Sequence, residues 1–265
     1  MSYNAINKDN INFLLNEVAK EYKKEYGRHS NIEIVLVGGA AVLAKYNFRY
    51  ASGDIDMTST AASVIKEVAN RVGDRLNLPN GWLNNDFVKT DSFSHKIYEH
   101  SKYYKEFAQV LTVRVVSDEF LIAMKLKAGR SYKNDISDIV GILAENQTNG
   151  KPISFERIDN AMQELYGGWD GISNDLISFV QNATQSDSLD QLYNDVAAKE
   201  IYNRDTVLKF ADTEEKSQIK EFIEEISKQM IEEINFDNTD FDDSDVELSY
   251  EDLELSDDDW EDSVD

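Results

Sequence analysis

The stretch from Val35 to Ser59, VLVGGAAVLAKYNFRYASGDIDMTS, restricts the possible folds more than any other part of the chain. The β-branched run 32–37 predicts a buried strand, and it leads directly into Gly38-Gly39 and a helical segment. Glycines at such a junction let backbone N–H groups approach an anion without obstruction from a Cβ atom, and the helix N-terminus adds a partial positive charge. The junction therefore predicts a phosphate-binding turn.

Two carboxylates, Asp54 and Asp56, flank Ile55 in the next predicted strand, 54–58. Residues i and i+2 of a strand face the same side, so the two aspartates are expected to project together and Ile55 to turn into the core. Adjacent carboxylates repel unless a cation lies between them, and Mg²⁺ prefers hard oxygen ligands. An Asp-x-Asp alone is common on exposed strand ends, but behind a glycine turn it predicts metal-assisted phosphoryl or nucleotidyl transfer.

Apolar periodicity and turn residues organise the rest of the chain. They predict a third strand at 109–116 and helices at 5–26, 61–76, 120–128 and 135–145. The composition shifts at 146–152, and only amphipathic helices are expected from there to about residue 234. The predicted domains are 1–148, a helical domain at 149–235 and an acidic, disordered tail at 236–265.

The charge and composition exclude several classes of function. The net charge is −24, and residues 236–265 contribute 15 acidic and no basic side chains, which leaves −9 for the first 235 residues. That acidity argues against general binding of duplex DNA. The chain has no cysteine, and hence no disulfides and no thiolate zinc site. It has no apolar run of membrane-spanning length, and a cytoplasmic location is expected.

The Gly38-Gly39 turn followed by Asp54-Ile55-Asp56 resembles the signature of the DNA polymerase β-type nucleotidyltransferase superfamily. More narrowly, the chain is similar to small bacterial nucleotidyltransferases related to the AbiEii-type toxins of toxin–antitoxin and phage-defence systems. Residues 81–86 (GWLNND), 123–130 (AMKLKAGR) and 135–139 (DISDI) also fit that group. The resemblance covers roughly 32–143. It implies an α/β (α+β) fold, with a polymerase β-like core around a mixed sheet, a C-terminal helical domain and the acidic tail.

The resemblance also implies roles for individual residues. Gly38 and Gly39 would hold the triphosphate of an NTP, and Asp54 and Asp56 would bind Mg²⁺. Members of the superfamily usually carry a third carboxylate on a later strand, but Arg114 is the only charged residue of the predicted strand 109–116. Asp86 is the preferred substitute, ahead of Asp91.

The predicted activity is transfer of a nucleoside monophosphate from the NTP to a macromolecular hydroxyl. The 3′ end of a tRNA is the first expectation for the acceptor, and a Ser, Thr or Tyr of a protein is the second. An antitoxin partner fits the toxin resemblance. A nucleotidyltransferase fold that has lost its third carboxylate would instead act as a non-catalytic module that binds a nucleotide or a partner.

Three further groups of residues have two interpretations each. Lys125 and Arg130 would neutralise triphosphate charge, with Asp135 and Asp138 orienting them or helping with metal and acceptor; alternatively, Arg130 and Asp138 form an ion pair between helices. Arg49 would reach a phosphate or lie on the surface. The stretch 94–107 interleaves lysines with tyrosines, which fits either single-stranded nucleic acid or an exposed strand or helix flank; its members are Lys96, Tyr98, Lys102, Tyr103, Tyr104 and Lys105.

The acidic tail has three interpretations. It is a solubilising end, a docking segment for a basic partner, or a nucleic-acid mimic that folds back over the cationic pocket of the enzyme. Its sparse apolar residues, Phe241, Tyr250, Leu253 and Trp260, would be the anchors of a docking segment.

Overall fold

A computed structural model describes residues 6–211 and 216–237 of the chain. The described residues form two compact units, the first ending at Ser117 and the second beginning at Asp118. The first unit is an α/β structure around a mixed sheet and the second is helical, which confirms the predicted fold class.

The first unit contains seven strands and three helices among the described residues. In chain order they are β1 (Ile6–Asn7), α1 (Ile11–Tyr26), β2 (Ile32–Leu36), α2 (Gly38–Lys45), β3 (Ala51–Ser52), β4 (Ile55–Thr58), α3 (Ala62–Leu76), β5 (Leu83–Asn84), β6 (Ser101–Phe107) and β7 (Leu111–Val116). Two 3₁₀ helices, Asp86–Lys89 and His95–Tyr98, lie between β5 and β6.

Five of these strands form one sheet in the order β5-β4-β2-β7-β6. The β2–β7 and β4–β5 pairs are parallel, whereas β2–β4 and β6–β7 are antiparallel. The Gly-Gly turn follows β2 in the middle of the sheet, and the Asp-x-Asp strand β4 is its direct neighbour. The fold therefore brings together the two motifs that the sequence places apart.

The two faces of the sheet differ in polarity because side chains alternate along each strand. One face carries fully buried aliphatic side chains: Ile34, Leu36, Ile55, Met57, Leu111 and Val113. Helices α1 and α3 pack against each other and contact β6 and β5 respectively. The register places Asp56, Thr58, Arg114 and Tyr103 on the opposite face, which is called the polar face below.

The second unit contains six helices among the described residues. They are α4 (Asp118–Ala128), α5 (Asp135–Thr148), α6 (Phe155–Tyr166), α7 (Asn174–Ala183), α8 (Leu189–Ala211) and α9 (Lys216–Asp237). Helix α5 is the centre of this unit, since ten of its residues are buried and it packs against α4 and α8. Ser154 and Ser173 cap α6 and α7 by accepting hydrogen bonds from backbone N–H groups.

The element limits depart from the predicted ones in several places. The predicted helix 5–26 begins only at Ile11, since Ile6 and Asn7 pair with Ser52 and Ala51 in the small β1–β3 sheet. Helix α5 runs to Thr148, where the first predicted domain ends. The division into units falls earlier, after Ser117, and the predicted domain limits stay predictions.

The acidic tail lies almost entirely outside the described residues. Its first two residues end helix α9 at Asp237, and 238–265 are not described.

Among the described residues no helix is both long and apolar enough to cross a membrane.

Candidate functional site

The turn after β2 has the geometry that the two glycines predict. Gly38 begins α2 with a φ of 55°, which is the left-handed region where glycine meets no steric penalty. Val37 donates its N–H to the main-chain oxygen of Asp56, and this bond joins the turn to β4. The first N–H groups of a helix have no intrahelical acceptor, so the start of α2 presents backbone donors beside Asp56.

The carboxylate of Asp56 lies against Gly38. A Cβ atom built on Gly38 would be 3.2 Å from Asp56 Oδ2, so any side chain at this position would crowd the carboxylate. Ile55 is fully buried between the two aspartates, which are themselves half-buried. The predicted burial of Ile55 between two less buried aspartates is therefore present, although β4 begins at Ile55 and Asp54 lies just before it.

Asn84 belongs to this site and was not predicted from the sequence. Its Cα pairs with that of Asp56 in the parallel β4–β5 register, and its Nδ2 donates to Asp54 Oδ2 over 2.8 Å. The amide also donates to the main-chain oxygen of Gly81. Asn84 thus connects the Asp54 carboxylate to β5, the strand that pairs with Asp56.

Arg49 lies at the second glycine. A Cβ atom built on Gly39 would be 2.6 Å from Ser52 Oγ and 2.9 Å from Arg49 Nη2. Arg49 Nε donates to the main-chain oxygen of Ala51, which fixes the guanidinium at the start of α2. Arg49 is thus half-buried at the turn and not on the open surface, and its contact with a phosphate stays a prediction.

Asp86 occupies a different setting from the aspartate pair. It follows β5 at the start of a 3₁₀ helix, its side chain is 71% exposed, and its Oδ1 lies 2.6 Å from Lys89 Nζ. Within 6–211 and 216–237, no three His, Asp or Glu side chains form a group that could hold a metal. Asp86 is therefore not joined with Asp54 and Asp56 into a three-carboxylate set, and its catalytic role stays a prediction.

The polar face extends from Asp56 towards β6. Thr58 Oγ1 and Tyr98 Oη lie 3.3 Å apart, and burial, opposed by this hydrogen bond, raises the pKa of the Tyr98 phenol. Arg114 donates to Ser101 Oγ over 2.8 Å and to the Ser101 main-chain oxygen, and it lies 4.0 Å from Glu33. An arginine held by hydrogen bonds therefore occupies the strand where the resemblance would place a third acid.

Lys125 is the centre of a buried ion cluster in the helical unit. Its ammonium lies 3.0 Å from Asp135 Oδ1 and 2.5 Å from Asp138 Oδ2, and its side chain is only 6% exposed. Arg130 Nε donates to Asp135 Oδ2 over 2.8 Å. The charge of Lys125 lowers the pKa of Asp135 far enough to overcome the effect of burial, with Arg130 adding to it. Two carboxylates thus engage Lys125, and its contact with a triphosphate stays a prediction.

Glu200 of α8 completes this cluster and has no counterpart in the sequence predictions. Its Oε1 accepts from the N–H groups of Ile136 over 2.8 Å and Ser137 over 3.3 Å at the start of α5, whereas Oε2 has no hydrogen-bond partner among the described residues. Burial raises the pKa of Glu200 well above its usual range; the bonds from Ser137 and Ile136 lower it, and the nearby charges of Asp138 and Asp135 raise it further.

The loop between α4 and α5 is held by the two last helices. Asn203 donates to the main-chain oxygen of Ser131, and Arg204 donates to Asn134 Oδ1 over 2.6 Å. Ser131 Oγ lies 2.5 Å from Ser227 Oγ of α9. These contacts fix the segment that carries Arg130. The predicted residues Lys125, Arg130, Asp135 and Asp138 form ion pairs within the same region, and these pairs stabilise the α4–α5 connection.

A glycine turn at a helix start, with Asp56 on the neighbouring strand β4 and Asp54 just before it, fits the nucleotidyltransferase class that the sequence resemblance implies. The chain belongs to a family described as nucleotidyltransferases of unknown function (DUF6036), whose model matches residues 14–166. No curated protein and no solved structure matches the chain. The family description names no substrate, so the narrower resemblance to AbiEii-type toxins stays a prediction.

Proposed function

We propose that the protein transfers a nucleoside monophosphate from an NTP to a hydroxyl of a macromolecule, with Mg²⁺ bound by Asp54 and Asp56. The observation that carries this proposal is the position of the Asp56 carboxylate against Gly38 at the start of α2. A phosphate that accepts hydrogen bonds from this helix start would lie directly beside a carboxylate. Two anions in that position require a cation between them.

The aspartate pair fits Mg²⁺ by the chemistry of its donor atoms. Mg²⁺ is commonly bound through one or two carboxylates, and waters and substrate phosphates complete its shell. Asp54 and Asp56 are half-buried and lie two residues apart at the start of β4. Asn84 donates a hydrogen bond to the Asp54 carboxylate. When bound there, Mg²⁺ would neutralise charge that develops on the transferred phosphoryl group.

The remaining contacts to the nucleotide would come from the backbone and from Arg49. The N–H groups at the start of α2 would donate to phosphate oxygens, which glycine at 38 and 39 permits. Arg49, positioned by its bond to Ala51, would add a charge-assisted, fork-shaped contact to the same phosphates. These groups orient the α-phosphorus for attack by the acceptor hydroxyl, and pyrophosphate leaves.

The test is transfer of label from each α-³²P-labelled NTP in the presence of Mg²⁺, total tRNA and cell lysate. Asp54→Asn and Asp56→Asn are each expected to lower the rate at least about 100-fold, because a metal contribution of several kcal/mol is lost. Asp74→Asn, at an exposed position of α3, is the matched control and should retain the rate. Label on RNA or on protein identifies the acceptor class, and transfer that survives in both active-site variants would refute the proposal.

A non-catalytic binding module is the second candidate, favoured by one observation. Among the described residues, no third acidic or histidine side chain joins Asp54 and Asp56 in a metal-binding group. Such a module would still gain stability from NTP with Mg²⁺ by mass action. A rise in the melting temperature with both ligands, lost in Asp56→Asn and without any label transfer, would establish this alternative.

A further inference from the structure

We propose that Asn84 is a positioning residue of the metal site: its side-chain amide holds the carboxylate of Asp54 in the orientation in which this aspartate binds a divalent cation together with Asp56. A cation at these two aspartates is part of the proposed function, on which this inference therefore rests. The affinity of the site for the cation should accordingly depend on an amide that does not touch the cation itself.

The orientation of the Asn84 amide is determined by its main-chain partners. Its Nδ2 donates to the main-chain oxygen of Gly81 over 3.1 Å, and its Oδ1 accepts from the main-chain N–H of Asp86 over 2.8 Å. The first partner can only accept and the second can only donate, so the reversed amide would lose both bonds. The amino group therefore faces Asp54, and it donates to Asp54 Oδ2 over 2.8 Å.

This arrangement makes Asn84 a donor to the site and not a ligand of the cation. A cation binds to oxygen lone pairs, whereas Asn84 presents an amino group to Asp54, and its Oδ1 is engaged by the N–H of Asp86. A hydrogen bond to a carboxylate is stronger than one between neutral groups. Hydrogen bonds of this kind orient metal-binding carboxylates, and their loss typically lowers metal affinity about 10–100-fold.

The fold places Asn84 firmly beside both aspartates. Asn84 is registered with Asp56 in the parallel β4–β5 pair, and neighbouring strands lie about 4.8 Å apart. Ile55 donates its N–H to the main-chain oxygen of Trp82 over 2.7 Å. Trp82 is buried, and its indole Nε1 donates to the main-chain oxygen of Ala69 in α3. The strand that carries Asn84 is therefore anchored to β4 and to α3 independently of the Asp54 contact.

Two of the three bonds of Asn84 have a purely structural role. The bond from Asp86 closes a turn two residues ahead, and the bond to Gly81 reaches back to a glycine with a φ of 80°. These two bonds would stabilise the segment around β5 in the same way if no cation bound nearby. Only the bond to Asp54 reaches the metal site, so the test has to separate its effect from that of the other two.

The test measures the Kd of Mn²⁺, used as the probe cation, for the full chain without nucleotide, from the loss of the electron paramagnetic resonance signal of free Mn²⁺. Asn84→Ala is expected to raise this Kd about tenfold. The same substitution is then made in Asp54→Asn and in Asp56→Asn. If Asn84 acts through Asp54, its removal should still raise the Kd about tenfold in Asp56→Asn. In Asp54→Asn the rise should be less than about twofold, because no carboxylate remains for Asn84 to hold.

Trp82→Phe is the matched structural control. It removes the indole bond to Ala69 from the same segment and does not alter Asn84 itself. Urea unfolding should show a loss of stability in Trp82→Phe, while its Kd for Mn²⁺ stays within about twofold of the wild-type value. Urea unfolding of Asn84→Ala under the same conditions establishes that this variant is folded.

The outcomes distinguish this inference from the proposed function. An unchanged Kd in Asn84→Ala overturns the inference, and so does a Kd that rises by the same factor in Asp54→Asn and in Asp56→Asn; label transfer by the wild type would still support the proposed function in either case. Wild-type protein that binds no Mn²⁺ also overturns the inference. Cation binding that depends on Asn84 through Asp54, without label transfer from any NTP, refutes the proposed function and keeps Asn84 as the positioning residue of a cation site.

Discussion

At the residue scale, the buried carboxyl of Glu200 carries a pH prediction. In the unfolded chain a glutamate ionises near its ordinary pKa of 4.5, whereas burial keeps the folded Glu200 protonated to a higher pH. Between those two values the unfolded chain has released a proton that the folded chain retains, so folding stability falls as the pH rises. Glu200→Gln keeps an acceptor for Ile136 and Ser137 but cannot ionise, and it should therefore lose this decline.

The measurement is urea unfolding of wild type and Glu200→Gln at about pH 5 and about pH 8. We expect the variant to gain stability relative to wild type at the higher pH. Glu225→Gln, at an exposed position of α9, should have the same stability as the wild type at both pH values. Parallel profiles for wild type and Glu200→Gln would mean that Glu200 titrates alike in the folded and unfolded chains.

Some residue roles follow from the local sequence pattern, whereas others depend on contacts between distant parts of the chain. The burial of Ile55 between two half-buried aspartates is predicted correctly, although β4 begins at Ile55 and not at Asp54 as predicted. Asn84 reaches Asp54 only because a two-residue strand pairs beside β4, and no periodicity marks so short a strand. Glu200 resembles a solvated helix residue in the sequence, and only the packing of α8 on α5 buries it.

At the scale of the element, the turn between β2 and α2 has no room for side chains. Gly39→Ala would place a Cβ atom 2.6 Å from Ser52 Oγ, and Ser52 is buried. We expect a loss of about 1–3 kcal/mol in the free energy of unfolding, with a fall in label transfer because Arg49 contacts the same glycine. Adding Ser52→Ala removes the clashing oxygen and should recover part of the stability.

Gly38→Ala tests two features together, the positive φ of Gly38 and its close contact with the Asp56 carboxylate. The control is Gly27→Ala, because Gly27 also has a positive φ, 84°, but no atom within 4 Å of a built Cβ. A greater loss of transfer in Gly38→Ala than in Gly27→Ala is expected from crowding of Asp56. Equal behaviour of the two variants in unfolding and transfer assays would show that the contact with Asp56 is unimportant.

Elements with strong local signals are predicted well, and those that depend on partners are not. The β-branched run at 32–37 and the apolar alternation at 109–116 identify β2 and β7. Strand β6 has only its end residues Ser101 and Phe107 buried, so its polar sequence fits an exposed strand and a helix flank equally. Pairing with β7 decides between them, and that pairing is a tertiary contact.

At the scale of the whole molecule, the charge distribution predicts the effect of removing the acidic tail. A chain that ends at Asp237 loses 14 acidic and no basic side chains, so its net charge changes from −24 to −10. Lower negative charge weakens the repulsion of a polyanion. The shortened chain should therefore bind single-stranded RNA more tightly than the full chain at an ionic strength of about 0.01 M, where the Debye length is about 30 Å.

This gain in RNA affinity should shrink at about 0.15 M salt, where the Debye length is only about 8 Å. A full-length variant with the 14 acids replaced by Asn and Gln is the matched control, and repulsion alone predicts that it behaves like the shortened chain. A gain that appears only on removal of 238–265 and persists at high salt would instead favour the interpretation in which the tail folds back over the cationic pocket of the enzyme. Equal affinity of all three chains at low salt would contradict both explanations, because neither the charge of the tail nor its presence would then affect RNA binding.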